Sequence, residues 1–451
     1  RRREYLKKAI SYKSKLSARE QHIIQGDIYF NSEKTYAEAI RFYKPALKDY
    51  PDDTISLHNT AVIYQNLEDW DNAFKYYATS IAYESGFIPS YTQYAELLIN
   101  QDRITEARDV LNGYLAIWPE HPDIRLLLAF SYLTEGRYPS AQKELDKAPA
   151  LFPDNFRVPV NQAMLFHYQG RLEEAEEEYG KLMNHSEPEA QYYAANGAID
   201  IDLRRGRYSQ AEQTCGFAIN MAFRVGVKWA ESEWRAQLAY IHLRQRNPQQ
   251  ALKEADLARA AADEVENYGK KRMALQFKGL SLLEMENPDG AQAAADELKS
   301  FIEEGINPKK IRLFHFLQGR IEMAKGNWEG AVECLEKAVQ NRDLGGYYPV
   351  IITNEVQHIW HLYSLATSYF QLQDYARALV KCDEALGLNF HKIGYGDVLS
   401  KCYYLKGQIF QKLGQPQNAA VSYKKFLELW ENADAGLHEI TDAQSQLAIL
   451  R

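Results

Sequence analysis

Few residues in this chain of 451 are typed and spaced for chemistry. His358 and His361 lie three apart and would present two imidazoles on one helix face. A zinc site needs three or four ligands, no third follows nearby, and a metal-free histidine pair on the surface or in a groove is expected. The run Glu173-Glu174-Ala175-Glu176-Glu177-Glu178 could gather cations. It opens a helix, however, where carboxylates complement the positive end of the dipole, so a solvated face is expected. The four cysteines, Cys215, Cys334, Cys382 and Cys402, form no CxxC pair, and small buried thiols are expected in place of disulfides or metal ligands. No nucleophile elbow, P-loop or HExxH occurs. Asn184-His185-Ser186 fits a glycosylation sequon, which matters only in a secreted eukaryotic setting. The chain is therefore read as a non-enzyme with no catalytic residue, cofactor or metal.

The composition narrows what remains. A net charge of -8 argues against nucleic acid as the main ligand, because phosphate binding needs a basic face. No apolar run is long enough for a membrane span, and no signal-peptide pattern opens the chain. The start, Arg1-Arg2-Arg3-Glu4, lacks methionine, so an upstream domain or membrane anchor in a longer polypeptide is expected. The expected compartment is the cytoplasm, or an extracytoplasmic one if such an anchor exists. Aromatic residues make up 12%, with 31 tyrosines, and so many tyrosines suit helix-pair repeats in which rings are buried and hydroxyls stay polar.

One spacing recurs down the chain. A small residue is followed twelve positions later by alanine: Ala61 and Ala73, Ala95 and Ala107, Ala129 and Ala141, Ala163 and Ala175, Ala239 and Ala251, Gly279 and Ala291, Gly319 and Ala331, Ala366 and Ala378, Gly407 and Ala419. Gly26 with Ala39 is one residue longer, and Ile199 with Ala211 has a large first member, which brings the total to eleven units. Two antiparallel helices joined by a short turn approach closely only where both carry small side chains. Large residues three after the first small position (Tyr29, Tyr64, Tyr132, Phe166, Tyr369) and four after the second (Tyr43, Tyr77, Leu111, Tyr179, Tyr423) keep one helical face apolar.

The turns agree. Gly136, Gly170, Gly206, Gly326 and Gly414 suit the left-handed end of a first helix. Asp69, Asp102 and Asp374 are expected to cap the second, and Pro51, Pro119 and Pro153 to follow its end. First positions recur every 34 residues from Ala61 to Ala163, then at 36, and then at 40 from Ile199 to Gly319; the last two steps are 47 and 41. Longer helices and a different pitch are expected in the C-terminal half. The expected organisation is an N-terminal helix over 1–17, short repeats over 18–187, long repeats over 188–434 and a capping helix over 435–451. The segment 342–354, around Leu344-Gly345-Gly346-Tyr347-Tyr348-Pro349, is read either as a contact loop or as one folded onto its own groove.

On these residues the chain resembles the tetratricopeptide repeat family over roughly 18–431. The resemblance implies an all-α, right-handed α-solenoid of about eleven helix hairpins that binds a protein or peptide. Lys15-Leu16-Ser17-Ala18-Arg19-Glu20, Glu187-Pro188-Glu189-Ala190-Gln191 and Lys425 to Asp434 further resemble the C-terminal repeat regions of large bacterial signalling proteins, in which a kinase, cyclase or winged-helix regulator precedes the repeats. That likeness implies a sensor or docking arm. The carboxylate clamp of some family members is disfavoured. Asn59 matches its middle asparagine, but Ile23, Asp27 and Gln93 stand where lysine, asparagine and arginine belong.

In this family the first helices line the concave face. The candidate partner-binding residues are accordingly Phe130, Arg157, Met164, His167, Tyr193, Asn196, Tyr240, Phe316, Arg320, Trp360, Tyr363, Phe370, Lys401 and Tyr404. Aromatic residues, arginine and methionine are the types enriched at binding hot spots. The competing reading of each is packing between neighbouring first helices. The competing reading of the whole chain is a structural protein that self-associates through its repeat surfaces.

Overall fold

The computed structural model describes residues 2–148, 154–340, 357–388 and 395–450. The 342–354 segment and Pro153 lie outside them. Among the described residues there are 24 α-helices and no strand, arranged as successive antiparallel hairpins of an α-solenoid. The small-residue pairs sit where the helices cross. Ala39, Ala73, Ala107, Ala175, Ala211, Ala251, Ala291, Ala331, Ala378 and Ala419 are all fully buried. At Gly407 an added Cβ would come within 2.6 Å of the Tyr423 ring, and at Gly319 within 2.6 Å of Leu335, so these glycines admit the large residue of the paired helix.

The tyrosines are buried more fully than their amphipathic character alone requires. The Tyr77 hydroxyl donates to Gln65 Oε1 at 2.7 Å, and the Tyr423 hydroxyl makes the same bond to Gln411 Oε1 at 2.6 Å. Each ring therefore fills a hairpin interior while its hydroxyl donates to the partner helix.

Each hairpin turns at a left-handed residue seven positions after its first small residue. Glycine occupies this site at 136, 170, 206, 326 and 414, with φ between 67 and 77°. Glu68, Asp102, Arg246, Glu286 and Gln373 adopt it with φ between 56 and 61°. Asp102 thus takes the left-handed site itself, one position before the capping site. Asp69 and Asp374 do cap, accepting from the backbone N–H of Asn72 and Arg377. The first hairpin replaces this turn with a 3-10 segment, Glu33–Thr35, which accounts for its extra residue. Helix lengths follow the spacing in part. The six helices from Pro188–Arg204 to Pro288–Glu303 have 16 to 18 residues, against 14 or fewer before them. Helices of 13 residues return at Arg312–Ala324 and Trp328–Gln340.

The chain forms two compact units, Arg1–Asp154 with Ile302–Lys309, and Asn155–Phe301 with Lys310–Arg451. In the first, Ser17 and Glu20 form a capping box that starts the Ala18–Phe30 helix. Asn307 is buried there and donates to the Asn66 carbonyl at 3.0 Å.

The second unit folds back on itself. The Gly396–Lys412 helix packs on the Pro188–Arg204 helix, with Gly396 N donating to Asp200 Oδ1 at 3.0 Å and Ser400 Oγ to the Arg204 carbonyl at 2.7 Å. A Cβ at Gly396 would meet the Asp200 carbonyl oxygen at 2.6 Å, so only glycine lets the backbones come this close. Beyond it, Trp430 lies under the Gly206 turn, edge-on to Tyr208, and Asp434 N donates to the Gly206 carbonyl at 3.0 Å.

Candidate functional site

The first unit closes off the clamp-like position. Asn59 Nδ2 donates to Asp27 Oδ1 at 2.9 Å and to the Tyr43 hydroxyl at 3.1 Å, while that hydroxyl donates to Asp27 at 2.6 Å. The asparagine that matched a ligand-binding position is thus committed to holding the first two hairpins together. Phe130 is also interior, 2% exposed.

In the second unit the residues expected on the concave face separate into three groups. Met164, His167 and Asn196 are buried. His167 Nε2 lies 3.0 Å from Asp200 Oδ2, and burial, outweighing that carboxylate, keeps the imidazole pKa below its ordinary value. Asn196 Nδ2 donates to the Tyr192 carbonyl at 2.9 Å.

A second group lies at the helix N-termini and is half-buried. Arg157 pairs with Glu189 at 3.0 Å, Tyr193 donates to the same carboxylate at 2.8 Å, and Phe156 stacks on Tyr193 at 6.3 Å. Phe370 stands apart, half-buried against Tyr375.

The third group brings together residues from four hairpins. Trp360, 2% exposed, meets Phe316 at 5.1 Å and Tyr240 at 5.1 Å between ring centroids. These three rings form core packing, as the competing reading had it for individual residues. Two guanidiniums lie over the same indole, Arg244 at 5.1 Å and Arg320 at 5.6 Å from its centroid. Tyr363 lies one helical turn beyond Trp360 and stays half-buried. Lys401 contacts the Trp430 ring at 5.7 Å and pairs with Glu439 at 3.0 Å. Tyr404, 9% exposed, donates to Asp442 at 2.6 Å.

The charges in this group are unequally matched. Asp397, fully buried, accepts from the Tyr240 hydroxyl at 2.5 Å and pairs with Arg244 Nε at 2.9 Å. Arg320 has a weaker arrangement: among the described residues its ion-pair partner is Glu284 at 3.8 Å, itself 53% exposed. Burial, and then the like charge of Arg244, hold Arg320 below its ordinary pKa. The same two causes, in the same order, lower Lys401. The three cations Arg244, Arg320 and Lys401 thus stand with three acids, Asp397, Glu284 and Glu439.

Arg244 and Asp397 were missed by the sequence reading. Arg244 lies five after the small residue Ala239, one position beyond those considered. Asp397 precedes its hairpin's small residue by ten, in the extension of a longer helix, and nothing in the repeat pattern marks it.

The other chemical candidates have structural explanations. His358 and His361 are buried in place of lying on a surface or in a groove, with His361 stacked on Phe316 at 4.3 Å. No group of three potential metal ligands occurs among the described residues. The glutamate run is matched by neighbouring cations: Glu173 and Glu176 by Arg205, Glu176 also by Arg207 at 2.9 Å, Glu174 by Arg171, and Glu177 and Glu178 by Lys181. Cys215, Cys382 and Cys402 are buried free thiols, and Cys334 is half-buried and free. Among the described residues no helix is long and apolar enough to cross a membrane.

Three family models, each described as tetratricopeptide repeat, match residues 89–131, 113–158 and 400–431. No curated protein matches. Among solved structures, the human IFIT1 dimer with PPP-AAAA is similar at 15% identity and a TM-score of 0.42, covering 95% of this chain and 94% of that one. The APC/C hetero-tetramer Cut9-Hcn1 is similar at 13% identity and 0.37, covering 96% and 87%. A repeat protein from Parabacteroides merdae is similar at 15% identity and 0.32, covering 71% and 95%.

Proposed function

The chain belongs to the tetratricopeptide-repeat family, and from that premise we propose that it is a protein-interaction scaffold whose second unit takes a segment of its partner against the inward faces of the first helices. The observation that carries this reading is the gathering of Arg244 and Arg320, from two other hairpins, over Trp360, one helical turn from the half-buried Tyr363. Arginine and aromatic residues gathered from separate elements form the kind of centre in which binding energy concentrates. The same reading makes the chain a docking arm of a bacterial signalling protein, supported by the likeness of the Lys15–Glu20, Glu187–Gln191 and Lys425–Asp434 segments. It assigns no catalysis to the chain.

A photo-crosslinking residue in place of Tyr363 tests this in the full chain. The expected product is a covalent adduct with a second, different polypeptide. Adducts only with another copy of this chain would favour the self-association reading, and no intermolecular adduct at all would remove Tyr363 from the interface.

A further inference from the structure

We propose that the second unit is a closed ring that withholds the inward faces of its first helices, and that it opens to the partner segment at the seam between the Pro188–Arg204 and Gly396–Lys412 helices. This rests on the scaffold reading and adds its regulation. In an open solenoid each hairpin meets only its neighbours in the chain. Here the first helices pack on one another in chain order from Lys228–Arg244 to Gly396–Lys412, and the last of them turns back onto Pro188–Arg204. The sixth hairpin of the chain therefore meets the eleventh.

The inward faces are occupied by one another. Tyr240 and Trp360 belong to the seventh and tenth hairpins, yet their rings meet at 5.1 Å between centroids. Tyr395 lies 4.9 Å from Tyr240 and 5.7 Å from Trp360, and Phe277 lies 6.3 Å from each of the same two rings. All four aromatic side chains are buried. A partner segment that is to lie on these faces must first find them parted.

The seam is the join suited to part. Its bonded residues are 196 positions apart, and no hairpin turn holds its two helices together. Hydrogen bonds cross it from Gly396 N to Asp200, from Ser400 Oγ to the Arg204 carbonyl, from Asp434 N to the Gly206 carbonyl and from Ser209 to Asp434. Water replaces such bonds at small net cost once both partners are wet. Asp397 reaches from the Gly396–Lys412 helix to Arg244 at 2.9 Å and accepts from the Tyr208 hydroxyl at 3.4 Å. The desolvation of a buried ion pair offsets much of its attraction, so these charges fix where the ring closes more than how firmly. Trp430 against Tyr208 adds an apolar contact at the same join. Parting here leaves the small-residue packing inside every hairpin untouched.

The test locks the seam and then loosens it, in the full chain with Cys334→Ser. Ser209→Cys with Asp434→Cys puts two thiols where side-chain oxygens lie 3.0 Å apart, and the disulfide is verified by mass. With a photo-crosslinking residue in place of Tyr363, the oxidised chain is expected to give about tenfold less adduct with a second, different polypeptide than the same chain reduced, because apparent binding scales with the open fraction. Gly396→Ala loosens the seam, since its Cβ would meet the Asp200 carbonyl oxygen at 2.6 Å. Ser400→Ala is the milder variant and removes only the bond to Arg204. Spin labels at the exposed positions Phe217 and Val421, on the sixth and eleventh hairpins, read the opening without a partner. Both variants are expected to add a second, longer distance to that of the parent. Equal adduct yields in the oxidised and reduced chains overturn the proposal and leave the scaffold reading in place. A single unchanged distance in both variants overturns it as well. Absence of adduct in either redox state, with the longer distance still present, would remove the scaffold reading and leave the opening of the ring.

Discussion

Asp434 caps a helix that begins more than two hundred residues before it. Its Oδ2 accepts from Ser209 N at 2.8 Å and from Ser209 Oγ at 3.0 Å, at the start of the Tyr208–Val225 helix, whose own N-cap residue Arg207 supplies no side-chain hydrogen bond. The cap that is normally local is here a tertiary contact, and it ties the end of the second unit to the sixth hairpin of the chain. Asp434→Ala is expected to cost about 1 kcal/mol, the usual worth of a helix cap. The measurement is urea denaturation. Hydrogen exchange should quicken both at Tyr208–Val225 and at Pro416–Leu429, since the contact serves both; faster exchange at one helix alone would refute the coupling.

Trp360→Ala is expected to destabilise the second unit by about 3–5 kcal/mol, the range for emptying a large core aromatic site. The indole touches Tyr240, Phe277, Phe316 and Tyr395. A melting temperature unchanged from the parent would place Trp360 in an open groove.

His58 gives the first unit a dependence on pH. Burial pushes its imidazole down to about 4, beside the Ser90 hydroxyl at 3.1 Å. The folded state therefore favours neutral histidine, while the unfolded chain protonates near pH 6.5. Stability is complete above that value and is lost as pH falls toward 4. Between pH 7 and pH 4.5 the His58 contribution amounts to about 2 kcal/mol. Comparing denaturation at the two values in the parent and in His58→Gln checks this, and an equal acid loss in both would refute it.

The hairpin turns predict opposite effects for one exchange. Glu286, with φ 57°, holds a left-handed site that glycine fills in other repeats. Glu286→Gly is expected to stabilise by about 1 kcal/mol and Gly326→Ala to destabilise by about as much, because a Cβ is strained in that conformation. Thermal melts of the two variants would show shifts of opposite sign.

The repeat was legible because it is local. Small residues twelve apart, with large ones three and four beyond them, describe a hairpin whichever neighbours it meets, and the structure buries Ala61, Ala73, Ala366 and Ala378 together in pairs. The Ser17–Glu20 start and the turn glycines are equally local. The candidate site was legible in part, since inward positions of first helices named Tyr240, Arg320, Trp360, Tyr363 and Lys401. Which of these are core and which are reachable was not legible, because periodicity gives the face of a helix and not what lies opposite it.

By itself, then, the sequence determined the hairpin, its count and its register, since each rests on contacts within some forty residues of chain. Only the tertiary structure decided that the Gly396–Lys412 helix returns to the Pro188–Arg204 helix, that Asp397 joins Tyr240 and Arg244, and that Arg320 is left with one distant acid. Those relationships join residues from 36 to 196 apart, and they depend on the small rotation added at each repeat, which no single hairpin carries.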